Sequence, residues 1–255
     1  MDRRAALGLF RAVVALVVLV AIAYQAWLIV NSGLFRPLRF FAFFTILSNV
    51  FGAIVWLWLA VRWRAPRTRN DDLLRGGATL YLVVTFVVVV ILLQGAELSL
   101  SDRVVDFVVH KLFPVLAVID WIVDPPETDL RLSDVVLWLI FPLAWLAFTL
   151  IRGALDNWYP YPFLDPDNGG YRSVAYHVIA ILAGFVAIAG AIVALGDFGR
   201  DRRLRRERVG RSASTSATGS NRMRRRSAIS KRCRRSATSR RIDSASAFAT
   251  YARSR

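Results

Sequence analysis

Cysteine is nearly absent: Cys233 is the only one in 255 residues, which excludes an intramolecular disulfide and any multi-cysteine metal site. The chain also lacks a glycine-rich phosphate loop, a G-x-S-x-G elbow and any metal-ligand spacing, so neither a cofactor nor a metal is expected. Methionine and histidine are scarce, with two residues of each. Missing too is the strand-like alternation of apolar and polar positions that a half-buried sheet would need.

What remains is hydrocarbon. Hydrophobic residues make up 56% of the chain and are gathered into long runs. A bilayer core of about 30 Å takes about 20 apolar residues as a helix. Six stretches meet that length: 9–30, 40–61, 77–96, 104–123, 133–151 and 172–195. The expected fold is therefore all-α, a polytopic six-helix transmembrane bundle over residues 1–198. The first run follows Arg3 and Arg4 and contains "AIA" at 21–23, as a secretory signal would. It continues to Val30, longer than a signal's apolar region, and is read as an uncleaved helix.

Net charge is +16, but its location matters more than its size. Of the 34 basic residues, 19 lie from Arg200 onward against three acidic ones, so the excess belongs entirely to the tail. The body is neutral, and no nucleic-acid partner is expected. The tail, 199–255, is rich in Arg, Ser, Ala and Thr without apolar periodicity, which predicts disorder. It could touch anionic headgroups, each basic residue near a membrane surface contributing about 1 kcal/mol, or it could be an unselected extension without function.

Orientation follows from arginine in the short loops, since cytoplasmic loops retain positive charge. With the N-terminus inside, that side receives Arg3, Arg4, Arg62, Arg64, Arg67, Arg69, Arg75, Arg131 and the tail. The other side receives Arg36, Arg39, Arg103, Arg152 and Arg172. The expectation is a multi-pass cell-membrane protein with both termini cytoplasmic. On the outer side, "RGALDNWYPYPFLDPDNGGY" (152–171) combines aromatics with prolines that cannot continue a helix. It reads either as a structured cap on the outer mouth or as a simple aromatic belt.

Polar groups inside the spans are the functional candidates, because hydrocarbon penalises them. These are Thr45, Ser48 and Asn49 in the second run, Asp106, His110 and Asp120 in the fourth, and His177 in the sixth. Thr45, His110 and His177 each lie about five or six residues in from the outer side, a shared depth of roughly one and a half turns. Asp120 lies some 15 Å deeper than His110 and is expected to pair with a basic group or meet water near the cytoplasmic end.

Ser48 and Asn49 read most simply as hydrogen-bonded glue between helices. Thr45 admits that reading and a sharper one, because a histidine within reach could take its proton and make the hydroxyl a nucleophile. Asp106 and Pro114 stand four residues on either side of His110, on one helical face. A carboxylate there could hold one ring nitrogen and leave the other as a base. Catalytic roles are thus expected at Thr45 and His110, with Asp106, Asn49 and His177 in support. The site would meet amphiphiles, so membrane lipids and a fatty acyl ester are the expected partners. A solute transporter lined by Asp106, His110 and His177, or a non-catalytic lipid-binding protein, remain the alternatives.

The Thr of "FFTILSN", the His and Pro of "HKLFPVLAVIDW", and "FPLAWLAFTLIRG" leading into "WYPYPFLD" resemble the androgen-induced and androgen-dependent-regulator family, in particular its bacterial branch. The resemblance covers about residues 10–195. It implies a six-span fold and, from the animal members, a threonine hydrolase of fatty acid esters of hydroxy fatty acids. By motif, the nucleophile would fall on Thr45 and its partner on His110.

Overall fold

A computed structural model of the chain describes residues 2–92 and 102–208. All regular structure among them is helical: α1 Arg3–Asn31, the short α2 Pro37–Phe40, α3 Phe44–Val61, α4 Arg69–Leu92, α5 Arg103–Phe107, α6 Phe113–Val123, α7 Asp134–Asp156 and α8 Gly170–Arg208. Between α5 and α6 runs a π-helical segment, Val108–Leu112, and a 3-10 turn covers Pro162–Leu164. The chain divides into two units, Met1–Arg200 and Asp201–Arg255. In the second, described only to Arg208, the backbone is helical and Arg203 pairs with Glu207 at 3.2 Å.

Five helices, α1, α3, α4, α7 and α8, are long and apolar enough to cross a membrane. This is an integral membrane protein by helix length and composition. The fourth expected span, 104–123, is helical over its whole length, Arg103–Val123, but as α5, the π segment and α6 instead of one uniform helix. The cause lies in Pro114. The Phe113 amide bonds to the Val108 carbonyl five residues back, and the next bond in that register would need an N–H that proline lacks.

Several expected boundaries move, two of them the furthest. Arg75, assigned to a cytoplasmic loop, lies inside α4 and is fully buried. The reason is a capping box at Thr68: its hydroxyl accepts the Asp71 amide at 3.3 Å while the Asp71 carboxylate accepts the Thr68 amide at 2.8 Å, starting the helix at Arg69. The stretch 199–208, expected as disordered tail, continues α8 as helix. The rest of that tail, with Cys233, and the end of the third expected span, 93–96, lie outside the described residues.

The first four long helical segments form a serial packing, α1 against α3, α3 against α4, and α4 against α6. A core of Val18, Ala53, Trp56, Leu82, Phe113 and Ala117 fills it. At Gly52 a Cβ would come within 3.1 Å of Leu82 and 3.0 Å of Phe113, so α3 can approach α4 and α6 this closely only without a side chain there. A second core joins α3 and α4 to α7 and α8 through Phe44, Tyr81, Trp138, Phe185 and Ala189. Tryptophan N–H groups fasten these helices to backbone carbonyls: Trp138 to Leu73 at 2.9 Å, Trp121 to Ile192 at 3.0 Å and Trp145 to Ala42 at 2.8 Å. Large apolar side chains such as Leu16, Val20 and Trp27 on α1 and Ile140 and Phe148 on α7 face outward. A bilayer would cover them.

One end of the bundle holds a network of buried charge. Arg11 of α1 grips Asp120 with two bonds of 2.9 and 3.1 Å and reaches Asp124 at 2.7 Å. Arg75 meets Asp120 at 3.4 Å, donates to the Asp124 carbonyl at 2.5 Å and lies 4.6 Å over the Trp121 ring. Arg67 pairs with Asp124 and Asp72. The expected basic partner of Asp120 is thus two partners, and the signs balance. Burial alone would push the Asp124 carboxyl up, but Arg75, Arg67 and Arg11 outweigh it and hold it well below the usual carboxylate range. This network ties α1, α4 and α6 together at the end opposite Thr45 and His110.

Candidate functional site

Thr45 sits in the first turn of α3, where backbone amides have no acceptor within their own helix. His110 lies in the π segment between α5 and α6. Sixty-five residues apart in the chain, the Thr45 hydroxyl and His110 Nε2 are 3.3 Å apart. Both residues are buried, at 7% and 6% exposure, so bulk water does not compete for this contact.

Behind the ring, His110 Nδ1 lies 2.8 Å from the Asp106 carboxylate. An ionised carboxylate only accepts, so the proton of the neutral ring resides on Nδ1 and Nε2 presents its lone pair to Thr45. The result is an Asp–His–Thr relay: an acceptor that orients a base, and a base aimed at a hydroxyl. Asp106 keeps its place because Asp102 caps α5, its Oδ1 accepting the Val104 amide at 2.8 Å.

Asn49 supports both sides of the pair. Its Nδ2 donates to the Thr45 carbonyl at 2.8 Å and to the Val109 carbonyl at 3.1 Å. The Val109 carbonyl is the one that Pro114 leaves without an amide in the π register, so Asn49 bonds to the group the proline has freed. One side chain therefore locks the turn carrying the hydroxyl to the turn carrying the imidazole. Ser48 donates to the same Thr45 carbonyl at 3.1 Å and stands 3.1 Å from the Thr85 hydroxyl of α4. Its role is cross-helix bonding, as expected.

His177 is not part of this cluster. Its Nδ1 donates to the Ser173 carbonyl one turn back at 2.8 Å, and its ring stacks on Phe163 at 6.0 Å between centroids. A shared depth of about five or six residues along their helices groups it with Thr45 and His110 in the sequence. Depth does not fix azimuth, and the turn of α8 points this ring to Phe163, in the loop between α7 and α8.

Tyr161, in that loop, was not singled out from the sequence. Its hydroxyl lies 3.4 Å from both the Thr45 amide and the Thr45 hydroxyl. The ring is held by Phe43 edge-on at 5.7 Å and by Phe163, nearly parallel at 5.2 Å. Only its place in the aromatic, proline-containing "WYPYPFLD" hinted at a packed loop; no spacing rule links it to Thr45.

Beside Thr45 opens a cavity of about 80 Å³ between α3, α4, α7 and α8. Its walls are hydrocarbon and aromatic, among them Val88, Pro142, Leu146, Ile181 and Phe185, and Thr45, Thr85 and Tyr161 supply its hydroxyls. No cluster of metal-ligating side chains occurs among the described residues. Compared with known protein families, curated proteins and solved structures, the chain matches none of them.

Proposed function

We propose that this membrane protein hydrolyses acyl esters of lipids, with Thr45 as nucleophile and His110 as general base. One observation carries the reading: a buried hydroxyl in line with an imidazole and a carboxylate, at 3.3 and 2.8 Å, on the wall of an apolar cavity. The resemblance of "FFTILSN" and "HKLFPVLAVIDW" to the androgen-induced family points to the same two residues.

In this reaction an acyl chain lies in the cavity with its carbonyl carbon beside the Thr45 oxygen. Thr45 attacks, His110 Nε2 takes the hydroxyl proton, and Asp106 stabilises the imidazolium through Nδ1. The tetrahedral intermediate collapses as His110 returns that proton to the leaving alkoxide, giving an acyl-Thr45 ester and a free alcohol. Water, deprotonated by the same imidazole, then attacks the acyl-Thr45 carbonyl, releasing the fatty acid and restoring the hydroxyl. No step calls for a metal or an organic cofactor. The Thr45 end would face the outer leaflet, a reading supported by the basic loops at the opposite end, with both termini cytoplasmic.

A transport reading has less support, since the cavity is apolar and the Arg/Asp network is internally neutral. The test is direct. Protein purified in detergent should label with a lipophilic fluorophosphonate and cleave a long-chain 4-nitrophenyl ester. Thr45→Ala and His110→Ala should each abolish both. Labelling and turnover that survive the two substitutions would end the hydrolase reading.

A further inference from the structure

We propose that the Tyr161 hydroxyl is a catalytic hydrogen-bond donor, stabilising the oxyanion formed when Thr45 attacks an acyl carbonyl; the inference rests on the hydrolase reading above. A phenol has one proton to donate and lone pairs to accept. The Thr45 amide, in the first turn of α3 and without a helical acceptor, donates to the Tyr161 oxygen at 3.4 Å. That amide fixes the oxygen and leaves the phenolic proton to be given elsewhere.

Two acceptors compete for the proton. In the resting site it is the Thr45 hydroxyl oxygen, 3.4 Å away. Tyr161 donating to Thr45, Thr45 donating to His110 Nε2, and His110 Nδ1 donating to Asp106 give each hydroxyl and ring one consistent role. The second acceptor arrives with substrate. Tyr161 and Thr45 line the same cavity, so a carbonyl placed for attack sets its oxygen beside the phenol. As the new bond forms, the Thr45 oxygen loses its lone-pair density to carbon while the carbonyl oxygen gains full charge. Rotation about the single C–O bond of Tyr161 then turns the proton from the first oxygen to the second. No other group has to move, which is the preorganisation that makes such donors effective.

Packing and burial suit the role. Phe43, Trp145 and Phe163 surround the ring at centroid distances of 5.7, 6.0 and 5.2 Å, so the hydroxyl cannot swing away. The loop itself is clamped: Leu164 is 1% exposed, and Tyr159 lies against Gly153 where a Cβ would come within 2.1 Å of its ring. Burial also pushes the Tyr161 phenol up from its ordinary value, which favours the protonated, donating form. A wall residue chosen for bulk alone would not need an oxygen aimed at the helix terminus that carries the nucleophile.

The test compares Tyr161→Phe with the wild type on a long-chain 4-nitrophenyl ester, with melting temperature measured in parallel. The expected result is a fall in kcat of about a hundredfold, the size seen when one oxyanion donor is removed. KM should stay within about twofold of wild type, and the melting temperature should fall only slightly, since the Thr45 amide loses an acceptor at the long distance of 3.4 Å. A Tyr161→Phe enzyme with wild-type kcat, alongside an active wild type, overturns the donor role and leaves the hydrolase reading standing. A wild type that neither labels nor turns over overturns both. If Tyr161→Phe does not fold, 2,3,5-trifluorotyrosine at position 161 keeps the ring and acidifies the phenol. Its kcat should then decline with rising pH where the wild type stays level, and superimposable profiles would reduce Tyr161 to packing.

Discussion

His110 Nε2 and the Thr45 hydroxyl lie 3.3 Å apart at one end of the bundle, although each belongs to a different helical segment. The contact is made by backbone irregularities. Thr45 stands at the start of a helix, and His110 occupies a π segment caused by a proline four residues later.

Asp106→Asn keeps the shape but can offer an amide N–H to Nδ1, moving the ring proton to Nε2 and removing the base. Ester turnover is expected to fall about a hundredfold or more while the melting temperature stays near wild type, since this carboxylate is a third exposed. Fluorophosphonate labelling rates check it, and unchanged labelling would remove Asp106 from the relay.

Asn49→Leu fills the same space without the two N–H bonds. The Val109 carbonyl then lacks both its helical amide and its side-chain donor, at a cost of about 1–3 kcal/mol for a buried unpaired group. Thermal unfolding should come earlier, and amide exchange should quicken in Val108–Leu112 before it does in α4.

At the far end, Asp120→Asn or Arg11→Met breaks a buried ion pair from one side. Each single change is expected to destabilise by about 3–5 kcal/mol, because the abandoned charge stays buried. The double substitution Arg11→Met with Asp120→Asn should destabilise less than the two singles added together. Denaturation in detergent micelles measures the cycle, and strict additivity would mean that the pair does not interact.

Acid should weaken the same end. The Asp124 carboxyl is held below its ordinary value, so its contribution to stability is complete above the unfolded carboxylate pKa of about 4 and is lost as pH falls below that toward the folded value. Unfolding temperature should drop between about pH 4 and pH 2, and Asp124→Asn, though less stable at neutral pH, should show a flatter acid limb. A steep limb retained in Asp124→Asn would assign the acid sensitivity to other carboxylates.

Much of this was legible along the chain. Long apolar runs marked the helices, and Asp106, His110 and Pro114 at intervals of four announced one face of one segment. Arg11 was overlooked because a single arginine in a 22-residue apolar run carries no partner in its own neighbourhood; its partners are 109 and 113 residues away. Tyr161 was overlooked for a similar reason, its target being 116 residues distant. Local pattern reports which side chains share a face, and contacts between faces of different helices leave no period behind.

Composition by itself determined that this chain enters a membrane as helices, since hydrocarbon forces every backbone amide to be bonded within its own segment. Periodicity determined that Asp106 and His110 meet, because they sit one turn apart. Only the tertiary structure decided that His110 meets Thr45 and His177 does not. Helices of equal depth can rotate freely about their axes until packing fixes them. Here Gly52, Asn49 and the freed Val109 carbonyl bring α3 against the π segment with the hydroxyl and imidazole facing each other.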